Sequence, residues 1–187
     1  MRAAFRIVLA CLALQGASPM AQPQPTPANP RNGSHDFDGE HGLWSTHVKR
    51  LTRPLSGQGT WVEYDGTTRV TPILDGRANV AELRISGPAG RIEGAALRVY
   101  APGTGGWSVH YFSAQDGEMT PPLAGAFNGE RARFEGEDRL GDKAIRVRFD
   151  MLRLGPDAWR FEQSFSADGA KTWEVNWIAD DRRAPAR

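Results

Sequence analysis

Short strand patterns bounded by turn residues fill this chain from residue 35 onward. Apolar and polar residues alternate within them, as strands with one buried face require. Asp-Gly, Asn-Gly and Gly-Asp pairs predict tight hairpins at Asp65-Gly66, Asp75-Gly76, Asn128-Gly129 and Gly141-Asp142. The predicted strands are 43–51, 59–64, 69–74, 78–85, 92–100, 107–113, 123–128, 131–139, 143–152, 159–166 and 172–179. Because no helical period separates them, we expect an all-β protein, a single antiparallel up-and-down barrel of about ten strands.

The alternation is clearest on the late strands, where it predicts which side chains share a face. Ile145, Val147, Phe149 and Met151 fall on one face of their strand. On the next strand the same face holds Trp159, Phe161, Gln163 and Phe165, and on the last it holds Trp173, Val175 and Trp177. A period of two is typical of a half-buried strand, so we expect these residues to point inward.

The first residues have the layout of a secretory signal. Arg2 and Arg6 precede a short apolar run over 7–14, and Ala21 is a suitable last residue before cleavage. The run is well below the roughly 20 residues that span a bilayer. We therefore predict that 1–21 is a removed signal peptide and that the protein is periplasmic or secreted.

Two features near this segment bear on where the folded domain sits. Leu9-Ala10-Cys11 resembles the end of a lipobox, so lipid attachment through Cys11 is the alternative to plain secretion. Four prolines among polar residues predict a disordered linker over 22–34. The barrel domain is then expected over 35–183, with a tail over 184–187.

The charge balance excludes some partners. Removing Arg2 and Arg6 from the 23 basic residues leaves 21 against 22 acidic ones, interspersed along the chain. Such a near-neutral, interspersed charge distribution predicts no basic patch for nucleic-acid binding and no electrostatic attraction to a membrane surface. Oligomeric state is not predicted.

Several stretches of the domain resemble known barrels. Gly42-Leu43-Trp44 resembles the Gly-x-Trp that opens the first strand of lipocalin-type barrels, where the Trp packs under a basic residue from the last strand. Arg182 or Arg183 would supply that cation here.

The domain as a whole also resembles a bacterial secreted family of unknown function with a lipocalin-like (calycin) barrel. The segments that carry this resemblance are His35-Asp36-Phe37-Asp38, Trp61-Val62-Glu63-Tyr64-Asp65-Gly66, Leu74-Asp75-Gly76-Arg77-Ala78-Asn79, 94–100 together with Trp107, and 161–166 together with the residues up to Trp173. The resemblance implies the fold and no particular activity.

Neither a metal nor haem is predicted as a cofactor. The four histidines are His35, His41, His47 and His110, and no pair has the spacing of a zinc site. His110, in the middle of a strand, is the candidate for an axial haem ligand. However, barrels of similar shape that bind haem, the nitrobindins, take this ligand from a late strand, and here the last two predicted strands hold no histidine.

The segment 166–173 resembles the Asp-box hairpin of sialidase-like propellers, with Ala170 in place of the expected glycine. Because an Asp side chain in such a box caps its own turn, we expect a structural hairpin and no catalytic role for Asp168.

The leading functional hypothesis is a barrel that binds a small, partly apolar molecule in its interior. Arg98 and Arg148 are the predicted polar anchors, since a guanidinium is a good carboxylate clamp. One alternative is an enzyme in which inward-facing His110 and Glu162 perform acid–base chemistry on a bound ligand, and another is a structural or interaction module with a filled core. The full set of candidate ligand-binding residues is Arg98, Arg148, His110, Trp61, Trp107, Tyr111, Trp159 and Glu162.

Overall fold

A computed structural model describes residues 32–185 and shows a closed barrel of ten antiparallel strands. Each strand pairs with its neighbours in sequence, and β1 closes the barrel against β10. A single turn of 3-10 helix, Asp38–Glu40, precedes the first strand. The strands are β1 Gly42–Leu51, β2 Trp61–Ile73, β3 Ala78–Gly87, β4 Gly90–Ala101, β5 Gly106–Ser113, β6 Leu123–Asn128, β7 Arg131–Leu140, β8 Lys143–Gly155, β9 Ala158–Ser166 and β10 Glu174–Arg183. The predicted all-β up-and-down barrel is thereby confirmed.

Three of the four predicted hairpin turns lie between strands. Asp75 and Gly76 connect β2 to β3 with φ values of 56° and 83°. Gly129 follows β6 with φ 62°, and Gly141 follows β7 with φ 60°. Positive φ is the conformation that Gly and Asp tolerate best in short turns, which explains why these residues end the strands.

The fourth predicted turn, Asp65-Gly66, is wrong. Asp65 and Gly66 lie within β2, which joins the two predicted strands 59–64 and 69–74 into one. A Cβ at Gly66 would come within 2.0 Å of the Arg84 carbonyl oxygen on β3. The glycine is therefore required by the close approach of two backbones and not by a turn, a role that glycine also takes inside strands.

The last strand also differs from its predicted form. The register shifts between Val175 and Trp177, so Asn176 is an inserted residue and Val175 lies opposite Ser164 on the outer face. Trp173 lies before the strand begins. Because a bulge reverses the alternation, Trp177 points inward while Val175 does not, contrary to the predicted shared face.

One end of the barrel is closed by aromatic side chains. Phe37, just before the 3-10 helix, is 1% exposed, and its ring centroid lies 4.8 Å from that of Trp107 and 4.9 Å from that of Phe127. Phe134 and Trp159 complete this cluster. We call these five residues the aromatic plug.

Trp44 holds the plug end together through the contact predicted from the sequence. The guanidinium carbon of Arg183 lies 4.2 Å from the centroid of the Trp44 ring, and the Trp44 indole N–H donates to the Glu40 backbone carbonyl oxygen at 2.6 Å. Arg183 also donates to the carbonyl oxygens of Gly39 and His41. The cation comes from the end of β10 itself, which extends past the predicted boundary at residue 179.

The predicted signal peptide, 1–21, and most of the predicted linker, 22–34, lie outside the described residues, as does the end of the tail. No helix within residues 32–185 is long and apolar enough to cross a membrane.

Candidate functional site

Above the aromatic plug the barrel encloses a cavity of about 390 Å³. Inward residues of most strands form its apolar walls, among them Leu83, Val109, Val147, Phe149, Phe161 and Trp177. Along β1 the lining runs from buried Thr46 to exposed Arg50, so the cavity reaches solvent at the end opposite the plug. Ligand pockets typically have volumes of about 300–1,000 Å³, and this cavity is within that range.

The floor of the cavity carries a buried ion pair. Arg98 of β4 donates from two guanidinium nitrogens to both carboxylate oxygens of Glu40, at 2.5 and 3.3 Å. The side chains are only 9% and 6% exposed. The guanidinium also lies 4.5 Å over the Phe37 ring and 3.4 Å from Asn79 Oδ1. The arginine is thus satisfied by protein groups, as a buried charge must be.

A second polar group on the floor is the carboxyl of Asp181, near the end of β10. The Thr46 hydroxyl hydrogen-bonds to it, and the Thr68 hydroxyl lies 2.7 Å from that of Thr46. Burial is the main cause that raises the pKa of Asp181 to about 7, while the Thr46 hydrogen bond acts in the opposite direction. This carboxyl therefore changes charge near neutral pH while facing the cavity.

The upper wall holds two further polar groups. Burial, followed by the charge of Asp116, raises the pKa of the Tyr111 hydroxyl, so Tyr111 stays neutral at physiological pH. On the other side, the Gln163 amide donates to Asn176 Oδ1 at 2.7 Å, and this bond holds the inserted residue of the β10 bulge.

Four of the predicted ligand-binding residues point into the barrel. Arg98 and Tyr111 line the cavity. Trp107 and Trp159 belong to the aromatic plug, each only 2% exposed, and neither lines the cavity. The Trp107 indole N–H donates to the Gly33 carbonyl oxygen at 3.0 Å. Of the four, only Arg98 and Tyr111 are placed where a ligand in the cavity would reach them.

None of the other four lines the cavity, and three of them, His110, Arg148 and Glu162, lie between residues that do. His110 lies between Val109 and Tyr111. Glu162 lies between two other lining residues on β9, and Trp61 is 45% exposed at the start of β2. The structure does not bring His110 and Glu162 together inside the barrel, which was the arrangement considered for acid–base chemistry.

Arg148 is on the outer face of β8, between the lining residues Val147 and Phe149. Its guanidinium lies 4.2 Å from the centroid of the Trp173 ring and 3.1 Å from a carboxylate oxygen of Asp150. The contact with Trp173 attaches the end of the Asp-box hairpin to the barrel wall.

The hairpin itself has the capped geometry predicted for it. Asp168 accepts hydrogen bonds from the Thr172 hydroxyl at 2.6 Å and from the backbone N–H groups of Thr172 and Lys171. These bonds, with one from Ser166, lower the pKa of the Asp168 carboxyl. Ala170 adopts φ 69°, the conformation for which glycine was expected. All of these bonds stay within the turn, as a structural cap requires.

Sequence reasoning missed Glu40, Asp181 and Thr46. Asp181 shares its face with Trp177 and Ala179, so the alternation would have placed it inward had the last strand been extended beyond residue 179. Glu40 gave no such signal, since it lies in the turn before β1 and its position depends on how that turn packs.

Within residues 32–185 no three His, Cys, Asp or Glu side chains are grouped so as to hold a metal ion. All four histidines belong to this part of the chain, and none is among the cavity-lining residues.

Comparison with solved structures supports the barrel architecture. The chain is similar to the S-type phycobiliprotein lyase CPES from Guillardia theta, with a TM-score of 0.56, 10% sequence identity, and coverage of 82% of this chain and 93% of that chain. It also matches EF1p2_mFAP2b bound to DFHBI, with a TM-score of 0.45, 10% identity, and coverage of 81% and 99%. The likeness to the lyase shows a lipocalin-like barrel fold and nothing about activity. No protein-family model matches the sequence, and no curated protein matches it either.

Proposed function

We propose that this protein is a secreted or periplasmic binding protein that carries a small, partly apolar molecule in its barrel. The observation that carries the proposal is the cavity of about 390 Å³, with apolar walls and a few polar groups on its floor. Such a combination is typical of small-molecule sites, in which apolar area provides affinity and placed polar groups provide orientation.

The way the interior is divided supports binding over a purely structural role. A filled core would use its large side chains to occupy the whole barrel, whereas here the five residues of the aromatic plug occupy one end only. The remaining space is bounded by partly buried apolar side chains, including Phe149, Phe161 and Trp177. A protein interior is normally packed without voids, so a retained cavity of this size calls for an occupant.

Filling the cavity by mutation tests this proposal. Ala96 lines the cavity on β4, and Ala126 is exposed on β6. Decanol serves as a neutral apolar probe whose binding to the domain is measured by isothermal titration calorimetry. We expect Ala96→Phe to weaken decanol binding at least about tenfold, because the ring takes up ligand space, and Ala126→Phe to leave it unchanged.

Equal decanol affinity in the two variants would contradict the proposal, as would the absence of any binding to the wild-type domain. Native mass spectrometry of the wild-type domain adds an independent readout, since an adduct that is lost in Ala96→Phe identifies the occupant by mass. For the location, fractionation of bacteria expressing the full chain tests whether the product is exported and shortened after Ala21.

A further inference from the structure

The sequence suggested that Arg98 would clamp the carboxylate of a ligand, and the structure argues for a ligand of the opposite charge. The guanidinium of Arg98 already donates to both oxygens of Glu40. A ligand carboxylate would have to displace Glu40 and leave that carboxylate buried without its partner. Removing one partner of a buried ion pair is strongly destabilising, so this exchange is unfavourable.

The remaining charge on the floor is a carboxyl group. Asp181 faces the cavity beside the Thr46 hydroxyl, and no Lys or His is among the lining residues. The charged residues that line the cavity comprise two arginines, Arg50 and Arg98, and four carboxylates, Glu40, Asp116, Asp138 and Asp181. With Arg98 neutralised by Glu40, the field inside favours a cation.

We propose that the cavity selects amphiphiles carrying one protonated amine, with the ammonium group bound by the Asp181 carboxylate and the Thr46 hydroxyl and the apolar part along Val147, Phe149 and Phe161. This inference rests on the proposed binding function and specifies its ligand class. An ammonium group offers three donors and no acceptor, which suits a carboxylate next to hydroxyl oxygens.

The surroundings of Asp181 decide how this binding depends on pH. Glu40 from the 3-10 helix and the adjacent Asp180 disfavour its ionisation, while Arg98 from β4 and the Thr46 hydroxyl from β1 favour it. In the empty barrel burial prevails, so the carboxyl is protonated below pH about 7. An ammonium ion brings the missing positive charge, and its binding therefore favours the carboxylate form and releases the proton.

Three probes with the same apolar chain separate the ligand class from binding in general. Decylamine, decanol and decanoate are titrated into the wild-type domain by isothermal titration calorimetry at pH about 8, where the Asp181 carboxyl is ionised. We expect decylamine to bind about tenfold more tightly than decanol, and decanoate to bind most weakly of the three.

Two asparagine variants at adjacent positions assign the preference to a residue. Asp181→Asn removes the charge inside the cavity and is expected to abolish the preference for decylamine while decanol still binds. Asp180 is on the outer face, paired with Arg160 at 2.8 Å, and Asp180→Asn is the matched control that should keep the preference.

Proton release in the wild-type domain tests the same contact without any mutation. At pH about 6, titrations of decylamine in buffers of different ionisation enthalpy should show about one proton released per amine bound, whereas decanol should release none. The affinity for decylamine should accordingly rise with pH up to about 7 and then level off.

The possible results distinguish the two proposals. Equal affinities for the three probes, or tighter binding of decanoate, would overturn the amine preference and leave the binding function intact. A preference for decylamine that persists in Asp181→Asn, or binding without proton release, would overturn the role of Asp181. No binding of any probe would overturn both proposals.

Discussion

The two halves of the barrel interior are built from the same strands but satisfy their polar groups differently. At the closed end, the indole N–H groups of Trp44 and Trp107 donate to backbone carbonyl oxygens at 2.6 and 3.0 Å, whereas the buried indole N–H of Trp159 has no hydrogen-bond partner among the described residues. In the cavity half, the Asp181 carboxyl accepts a hydrogen bond from a threonine hydroxyl, and its pKa is raised to about 7. The closed end is therefore filled mainly by packed aromatic side chains, while the cavity half contains a buried acid that is costly to ionise.

This contrast indicates a division of labour along the barrel axis. The plug residues and Trp44 are nearly inaccessible to solvent, whereas several cavity-wall residues, such as Phe149 and Phe161, are only partly buried. Natural proteins commonly retain destabilising features at functional sites and compensate for them elsewhere.

The largest expected effect comes from truncating an aromatic side chain at the closed end. Trp44→Ala should lower the free energy of unfolding by about 3–5 kcal/mol, because it leaves a void and removes the contact with Arg183. Phe149→Ala should cost about 1–2 kcal/mol, since the lost volume joins an existing cavity. Urea denaturation followed by fluorescence measures both values, and equal losses would contradict the division.

The second effect is the pH dependence of stability that Asp181 introduces. Its folded pKa of about 7 lies above the unfolded value, so the stability linked to the protonated form is complete at acid pH. This stability is lost as the pH rises from the unfolded pKa to the folded pKa of about 7, by about 4 kcal/mol in all. Asp181→Asn should remove this decline and be more stable than the wild-type domain at pH about 8.

Asp180→Asn is the control at the neighbouring position, and its stability should depend on pH in the opposite direction. The hydrogen bond from Arg160 lowers the pKa of the Asp180 carboxyl, so its stabilising contribution is present at neutral pH and lost in acid. Denaturation curves of the two variants across the pH range should therefore diverge from the wild type in opposite directions. If the stability of both variants instead changed with pH in parallel with the wild type, the pKa of Asp181 would not be raised in the folded barrel.

The smallest of the three effects concerns the cation at the closed end. Arg183→Gln should lower the free energy of unfolding by about 2 kcal/mol, because it removes the contact with Trp44 and weakens the bonds to the turn carbonyls. Arg182→Gln, at the next position and exposed, should change it by less than about 0.5 kcal/mol. Thermal unfolding of the two variants measures the difference. A similar loss of stability in both would contradict a stabilising contact between Arg183 and Trp44.

Much of the barrel could be predicted because its strands follow a local rule. The alternation on β8 correctly placed Val147, Phe149 and Met151 in the interior, where they line the cavity. The resemblance of Gly42-Leu43-Trp44 to the opening of lipocalin-type barrels implied a contact of Trp44 with Arg182 or Arg183, and the structure places Arg183 there. The alternation depends on residue type and on a period of two, which are visible in the sequence.

The candidate site was predicted less well, because it depends on contacts between distant segments. Arg98 was correctly placed in the interior, but its partner Glu40 is separated from it by 58 residues in the chain. Arg148 has the same residue type and lies on the outer face, against Trp173. Residue type alone does not distinguish the two arginines, since charged side chains occur on both faces of a barrel wall.

By itself, the sequence determined the class of fold, the number of strands to within one and most of the turns. Only the tertiary structure decided that Gly66 continues a strand, that the bulge at Asn176 reverses the alternation of β10, and that Asp181 reaches the cavity floor. The physical reason is that strand periodicity is a property of neighbouring residues, whereas register, close backbone approach and burial of a charge arise only when distant strands pair.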